Sequence, residues 1–159
     1  MPEIPEEMKR NGRPKVKEFD GEEYLYRRVM PEQWVESQVD IDAIELPDMS
    51  VNRDFRDPEK WPPHWVLLEE ERCKDWAVVG FKVKDIPTDM PHLGIDMYTF
   101  DPTHVPQDRN YMHSEVWCYQ NGGHIDAKKN LDHDLHQRWR EKLLWKIKTF
   151  VRPIGYVEE

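Results

Sequence analysis

The chain has 159 residues, 38% hydrophobic and 35% charged, with a formal net charge of -9. That length suits one ordinary domain. The negative balance disfavours direct nucleic-acid binding and anionic membrane surfaces, which both reward the opposite sign. Seven Trp, six Tyr and five Phe supply large burial areas that disordered chains lack. Thirteen Pro against seven Gly predict stiff loops and few glycine-cradled phosphate loops.

Residues 1–20 read as a flexible charged tail, interrupted by Pro2, Pro5 and Pro14. The N-terminus MPEIPEEMKRNGRPK has no apolar signal core, and no apolar run approaches the ~18 residues of a spanning helix. The expectation is a cytoplasmic protein with Cys73 and Cys118 reduced. Cys118 is expected to be a small core residue.

A single domain is expected over 21–159. EYLYRRV (23–29) has the composition of a first strand. PEQWVES (31–37) suits a short helical turn with Pro at its first position. IDAIEL (41–46) is ambiguous between strand and turn. DMSVNR (48–53) reads as a strand with Met49 and Val51 on one face. Asp57-Pro58-Glu59 suits the cap of a short helix, and Pro62-Pro63 would end anything helical there.

DWAVVGFKVKDI (75–86) is the clearest strand, half-buried by its period-two pattern. HLGIDMYTF (92–100) follows as another, closed by Asp101-Pro102. NYMHSEVWCYQ (110–120) is a third, ended by the turn Asn121-Gly122-Gly123. LDHDLHQRWREKLLWKIKTF (131–150) predicts a long C-terminal helix. In it Leu131, Leu135, Trp139, Leu143 and Ile147 recur every four residues. The fold expected is α+β: a small, mainly antiparallel sheet of about four to six strands packed against that helix.

Four constellations carry possible chemistry. His113 and Glu115 share a strand face, with Trp117 beyond; such a pair serves as an oriented general base or as an ordinary cross-strand polar pair. Offsets of odd and even parity place Cys118 on the other face, away from His113. His133 and His136, at i and i+3, can share a metal with His124 and Asp132; zinc is the one cofactor candidate, although the spacing matches no zinc signature. Arg27, Arg28, Arg53 and Arg56 can grip phosphate or carboxylate, or simply pair with the abundant acids. Arg28, Arg53 and His113 would matter together only if the fold brings them into one cleft. WPPHW (61–65) offers Trp61, His64 and Trp65 either as an exposed recognition loop or as a lid over the core edge.

No GxGxxG, Walker A or GxSxG signature is present, which disfavours the nucleotide-binding and hydrolase classes built on them. Three functions remain. The leading one is an acidic accessory protein acting through a protein partner. The second is a small hydrolase or transferase acting on a phosphate- or nucleotide-bearing substrate. It would use His113 and Glu115 for acid–base work and Arg28 or Arg53 for charge stabilisation. The third is a histidine-based metal-binding domain.

Set in order, YLYRRVMPEQW (24–34), MSVNR (49–53) and NYMHSEV (110–116) resemble a group of small bacterial proteins without assigned activity. Those share an LYRR-like strand, an SVxR-like segment and an Asn-x-x-His-x-x-Val-like strand, read here as Asn110, His113 and Val116. The resemblance covers about a fifth of the chain through short motifs and leaves out the tail and the C-terminal helix. That group is similar to accessory proteins of mobile or phage-defence loci. The resemblance therefore implies an accessory role and marks Arg28, Arg53 and His113, without assigning them tasks.

Overall fold

The computed structural model describes residues 3–35, 38–39, 43–44, 49–92, 96–125 and 133–152. Most of IDAIEL, together with Leu131 and Asp132, lies outside them.

The architecture is α+β. Strands β1 (Tyr24–Val29), β4 (Met49–Arg53), β5 (Ala77–Lys82), β6 (Asp89–His92), β7 (Asp96–His104), β8 (His113–Gln120) and β10 (Lys148–Val151) form one sheet in the order β10-β5-β1-β4-β8-β7-β6. Strand β9 (Gly123–His124) pairs with β8, and β2 (Trp34–Val35) pairs separately with β3 (Gln38–Val39). All of these pairings are antiparallel. The turn between β8 and β9 is the expected one, with Asn121 at φ 49° and Gly122 at φ 89°. Both angles are those of a two-residue hairpin with left-handed central residues.

Period-two alternation sorts the sheet into two faces. On one, Leu25, Met49, Val51, Phe81, Phe100, Val116 and Cys118 meet Leu135, Trp139 and Leu143 of helix α1 (His133–Leu144). Trp139 stacks on Phe100 at 4.8 Å, and its indole N–H donates to the Pro87 carbonyl at 2.9 Å. On the other face, Tyr26 and Val78 pack under Val66 and Leu67 of the 3-10 segment Pro63–Glu69. Strand β5 is consequently buried on both sides, not half-buried. Gly80 is required there: a Cβ would stand 2.9 Å from the rings of Tyr26 and Phe150 and 3.1 Å from the Leu25 carbonyl.

Further expectations are corrected: the sheet holds eight strands, β9 included, where about four to six were expected. Helix α1 has 12 residues and does not reach residue 150. Lys146 and Ile147 turn back on Leu143 and Leu144, and Lys148–Val151 joins β5 as a strand. The Thr-Phe-Val run favours a pleated edge, while Ile147 keeps its place on the core from the turn.

Pro62-Pro63 starts a 3-10 helix instead of ending one. The fixed φ of proline suits a first turn whose N–H has no partner to lose. Strand β7 runs through Asp101-Pro102 to His104. Strand β6 pairs with it only over Asp96–Thr99, so the missing Pro102 N–H faces an edge, where sheets tolerate proline.

Finally, residues 3–20, expected as a tail, are laid against the sheet. Met8 is fully buried with Ile4, Trp61, Tyr111 and Met112. The Tyr111 N–H donates to the Met8 carbonyl at 2.7 Å, and the Val16 N–H donates to His104 Nδ1 at 2.9 Å. Among the described residues no helix is long and apolar enough to cross a membrane.

Candidate functional site

The face opposite α1 carries a polar cleft. Strand register builds it. Asn52 of β4 pairs with Tyr26 of β1 on one side and His113 of β8 on the other. One step along, Ser50 pairs with Glu115, and Arg28 lies two residues from Tyr26 on the same face. Even positions of β1 and β4 and odd positions of β8 thus present Arg28, Ser50, Asn52, His113 and Glu115 together. The 3-10 segment Pro63–Glu69 ends above them and contributes Glu69.

Two adjoining cavities result, of about 280 and 320 Å³, sharing Arg28, Ser50, Glu69 and His113 as lining. Asn52, Arg72 and Trp76 add to the first; Glu70, Arg109 and Asn110 add to the second.

Within the cleft, Arg28 Nη1 donates to Glu69 Oε2 at 2.8 Å and Nη2 to Glu70 Oε1 at 3.2 Å. Asn110 Nδ2 donates both to Asn52 Oδ1 at 2.8 Å and to Glu69 Oε1. His113, 6% exposed, lies between two carboxylates. Its Nε2 is 3.3 Å from Glu115 Oε2 and its Nδ1 is 3.8 Å from Glu69 Oε1. The Trp117 indole N–H donates to the other Glu115 oxygen at 2.9 Å, fixing that carboxylate. Burial opposes a charged imidazole here. Hydrogen bonding and charge from Glu69 and Glu115 outweigh it and raise the His113 pKa above its ordinary value. Two buried amide atoms of the same network, Asn52 Nδ2 and Asn110 Oδ1, have no hydrogen-bond partner.

Arg28, His113 and Glu115 therefore converge, as the second functional reading requires. Arg53 does not. It follows Asn52 by one residue and so points to the opposite face. There it is 2% exposed and makes four hydrogen bonds: Nε and Nη2 to Glu23 at 2.6 and 2.9 Å, Nη1 to the Val16 carbonyl at 2.7 Å, Nη2 also to the Glu18 carbonyl at 2.8 Å. Phe19 and Phe55 cover its guanidinium at 3.8 and 4.3 Å. Arg53 is a structural clamp that ties the N-terminal segment to β1 and β4. Arg56 pairs with Asp20 at the surface at 3.2 Å, and Arg27 donates to the carbonyls of Ala43 and Ser50 at 2.7 and 2.9 Å.

The WPPHW segment is the lid reading, not the exposed loop. Trp61 is 5% exposed and Trp65 packs against the same cluster, leaving His64 exposed. Nor do His124, His133 and His136 build a metal centre. Among the described residues no group of three His, Cys, Asp or Glu can hold an ion. His124 stacks on Trp117 at 4.4 Å, and burial lowers the His136 pKa to about 4. Cys118 is fully buried in the α1-facing core, away from His113.

Sequence reasoning missed Glu69. It sits in the run Glu69-Glu70-Glu71, where nothing distinguishes an inward carboxylate from solvated ones. Its only local signal is position: it closes a 3-10 segment whose Val66 and Leu67 face inward. No family model matches the chain, and no curated protein or solved structure matches it.

Proposed function

We propose that the cleft binds a phosphate- or nucleotide-bearing small molecule and that His113 transfers a proton to it. The observation that carries this reading is the convergence of Arg28 with a buried His113 held between Glu69 and Glu115. In a chain of charge -9, the cleft gathers Arg27, Arg28, Arg72, Arg109 and His113 against Glu69, Glu70 and Glu115. That local balance attracts an anion that the rest of the surface repels.

His113 Nδ1 is the ring nitrogen on the Glu69 side, toward the cavities; Nε2 is turned to Glu115. A protonated Nδ1 gives its proton to the leaving oxygen as the phosphorus–oxygen bond breaks. Water forms the new bond to phosphorus, and its proton returns to the ring. Arg28 stabilises charge on the phosphoryl oxygens. Glu115, anchored by Trp117, keeps the ring oriented throughout.

The test incubates the protein with nucleoside mono- and diphosphates and simple phosphomonoesters, following products by phosphorus NMR. The expected result is consumption of at least one compound, lost in His113→Asn. A chain that converts none of them contradicts the reading.

A second reading, an accessory protein acting through a protein partner in a defence-type system, has one favouring observation. Trp145, just past α1, is 88% exposed. Large exposed aromatics are frequent interface anchors. A single dominant partner in a pull-down from the host, lost in Trp145→Ala, supports this; no dominant partner contradicts it.

A further inference from the structure

Glu69 is held as proteins hold a bound oxyanion. Its two oxygens receive Arg28 Nη1 at 2.8 Å and Asn110 Nδ2, with His113 Nδ1 at 3.8 Å. These donors come from β1, from the loop before β8, and from β8 itself. Two chain segments, β1 and the stretch 110–113, thus converge on one carboxylate, itself carried in on the end of a 3-10 segment. Beside these groups, Asn52 lines the same cavity and carries a donor without an acceptor. Asn52 is 2% exposed, its Oδ1 accepts from Asn110, and its Nδ2 has no acceptor. Buried donors are almost always paired, so an orphan in a cavity wall calls for an explanation.

We infer that Arg28, Asn52, Asn110 and His113 form a phosphoryl-binding site that Glu69 occupies from within, and that an incoming phosphoryl group displaces the Glu69 carboxylate. This rests on the reading of the cleft as a site for phosphate-bearing ligands. A carboxylate offers two oxygens and a phosphoryl group three; the third is the acceptor Asn52 Nδ2 lacks. A protonated phosphoryl oxygen supplies the donor that Asn110 Oδ1 lacks. Arg28 keeps a partner during the exchange, because its Nη2 remains on Glu70 at 3.2 Å. Glu69 acts as a specificity gate. A monovalent carboxylate ligand gains nothing over the resident group, whereas a phosphoryl group brings more charge and more acceptors.

The test is titration of the full chain with inorganic phosphate and with adenosine monophosphate, by calorimetry. Glu69→Gln preserves the size and the acceptor facing Arg28 but removes the competing charge. A self-occupied site lowers apparent affinity by the fraction of molecules that are open, so the variant is expected to bind phosphate about tenfold tighter or more. Glu71→Gln removes the same charge from an exposed position next door and is expected to bind as the wild type does. Arg28→Gln in the Glu69→Gln background is expected to lose the gain. Should Glu69→Gln melt far below the wild type, Glu69→Ala repeats the comparison.

Unchanged or weaker phosphate binding in the Glu69 variants overturns the inference, as does an equal gain in Glu71→Gln. The two proposals separate cleanly. Turnover by the wild type without tighter binding in Glu69→Gln sinks the gate and leaves the activity. Tighter binding without any turnover sinks the activity and leaves the site.

Discussion

Asn52 and His113 are direct partners across β4 and β8, and this pairing places an orphan amide beside an imidazole clamped by two carboxylates. The pair sits near the middle of the sheet, where backbone position is set by neighbours on both sides. Groups held in this way need little reorganisation to meet a ligand, which is the general basis of electrostatic preorganisation.

The first prediction concerns the clamp on the opposite face. Arg53 and Glu23 are each 2% exposed and bonded to one another through two hydrogen bonds. Glu23→Ala leaves a buried guanidinium without its counter-charge. The expected loss is about 3–5 kcal/mol in urea denaturation. A loss below about 1 kcal/mol, the usual scale of an exposed pair, would show that Arg53 finds water instead.

The second concerns pH. The Val16 N–H donates to His104 Nδ1, so Nε2 carries the proton and donates to the Tyr111 carbonyl at 2.6 Å. Burial, joined by the charges of Arg53, Arg10 and Lys15, lowers the His104 pKa from 6.5 to about 4. A depressed folded-state value means that stability is complete above the unfolded value of 6.5 and is lost as pH falls toward 4. The scale is about 3 kcal/mol. His136, also lowered to about 4, adds in the same direction. His113 works oppositely: its raised value gives stability that is present below 6.5 and lost as pH rises through the folded value. Imidazole NMR titration should show His104 neutral at pH 5. A His104 midpoint near 6.5 would contradict the assignment.

The third uses two tryptophans of the C-terminal region. Trp139 is fully buried and Trp145 is 88% exposed. Trp139→Ala is expected to cost about 3–5 kcal/mol, and Trp145→Ala to stay within about 0.5 kcal/mol. Equal costs would mean that residue 145 packs against the core, against its exposure here.

The fourth tests crowding at Gly80. A methyl group there meets two aromatic rings and a carbonyl. Gly80→Ala is expected to destabilise by about 1–3 kcal/mol, read from thermal melting. A neutral outcome would place Phe150 away from β5.

Much of this was legible in the chain itself. Alternation alone put His113, Glu115 and Trp117 on one face and Cys118 on the other, because side-chain period in a strand is fixed. Met49 and Val51 fell inward for the same reason. Between strands the sequence is silent: that Asn52 meets His113 depends on a register no local pattern encodes. Arg53 shows the cost of reading motifs without parity, since adjacent residues cannot share a face. Helix α1 was overextended because Ile147 keeps the four-residue spacing from within a turn. The N-terminal segment misled through composition. Its charges stay outside, while Met8 and the backbone bonds to Tyr111 and His104 hold it down.

The central claim is that the Arg28–His113 cleft takes a phosphate-bearing ligand. The most direct measurement is a nitrogen–proton chemical-shift map of labelled protein titrated with adenosine monophosphate. The account predicts saturable shifts at the Arg28 guanidinium, the Asn52 and Asn110 side-chain amides and the His113 ring, with Arg53 unmoved. Shifts confined to surface lysines, or none, would contradict it.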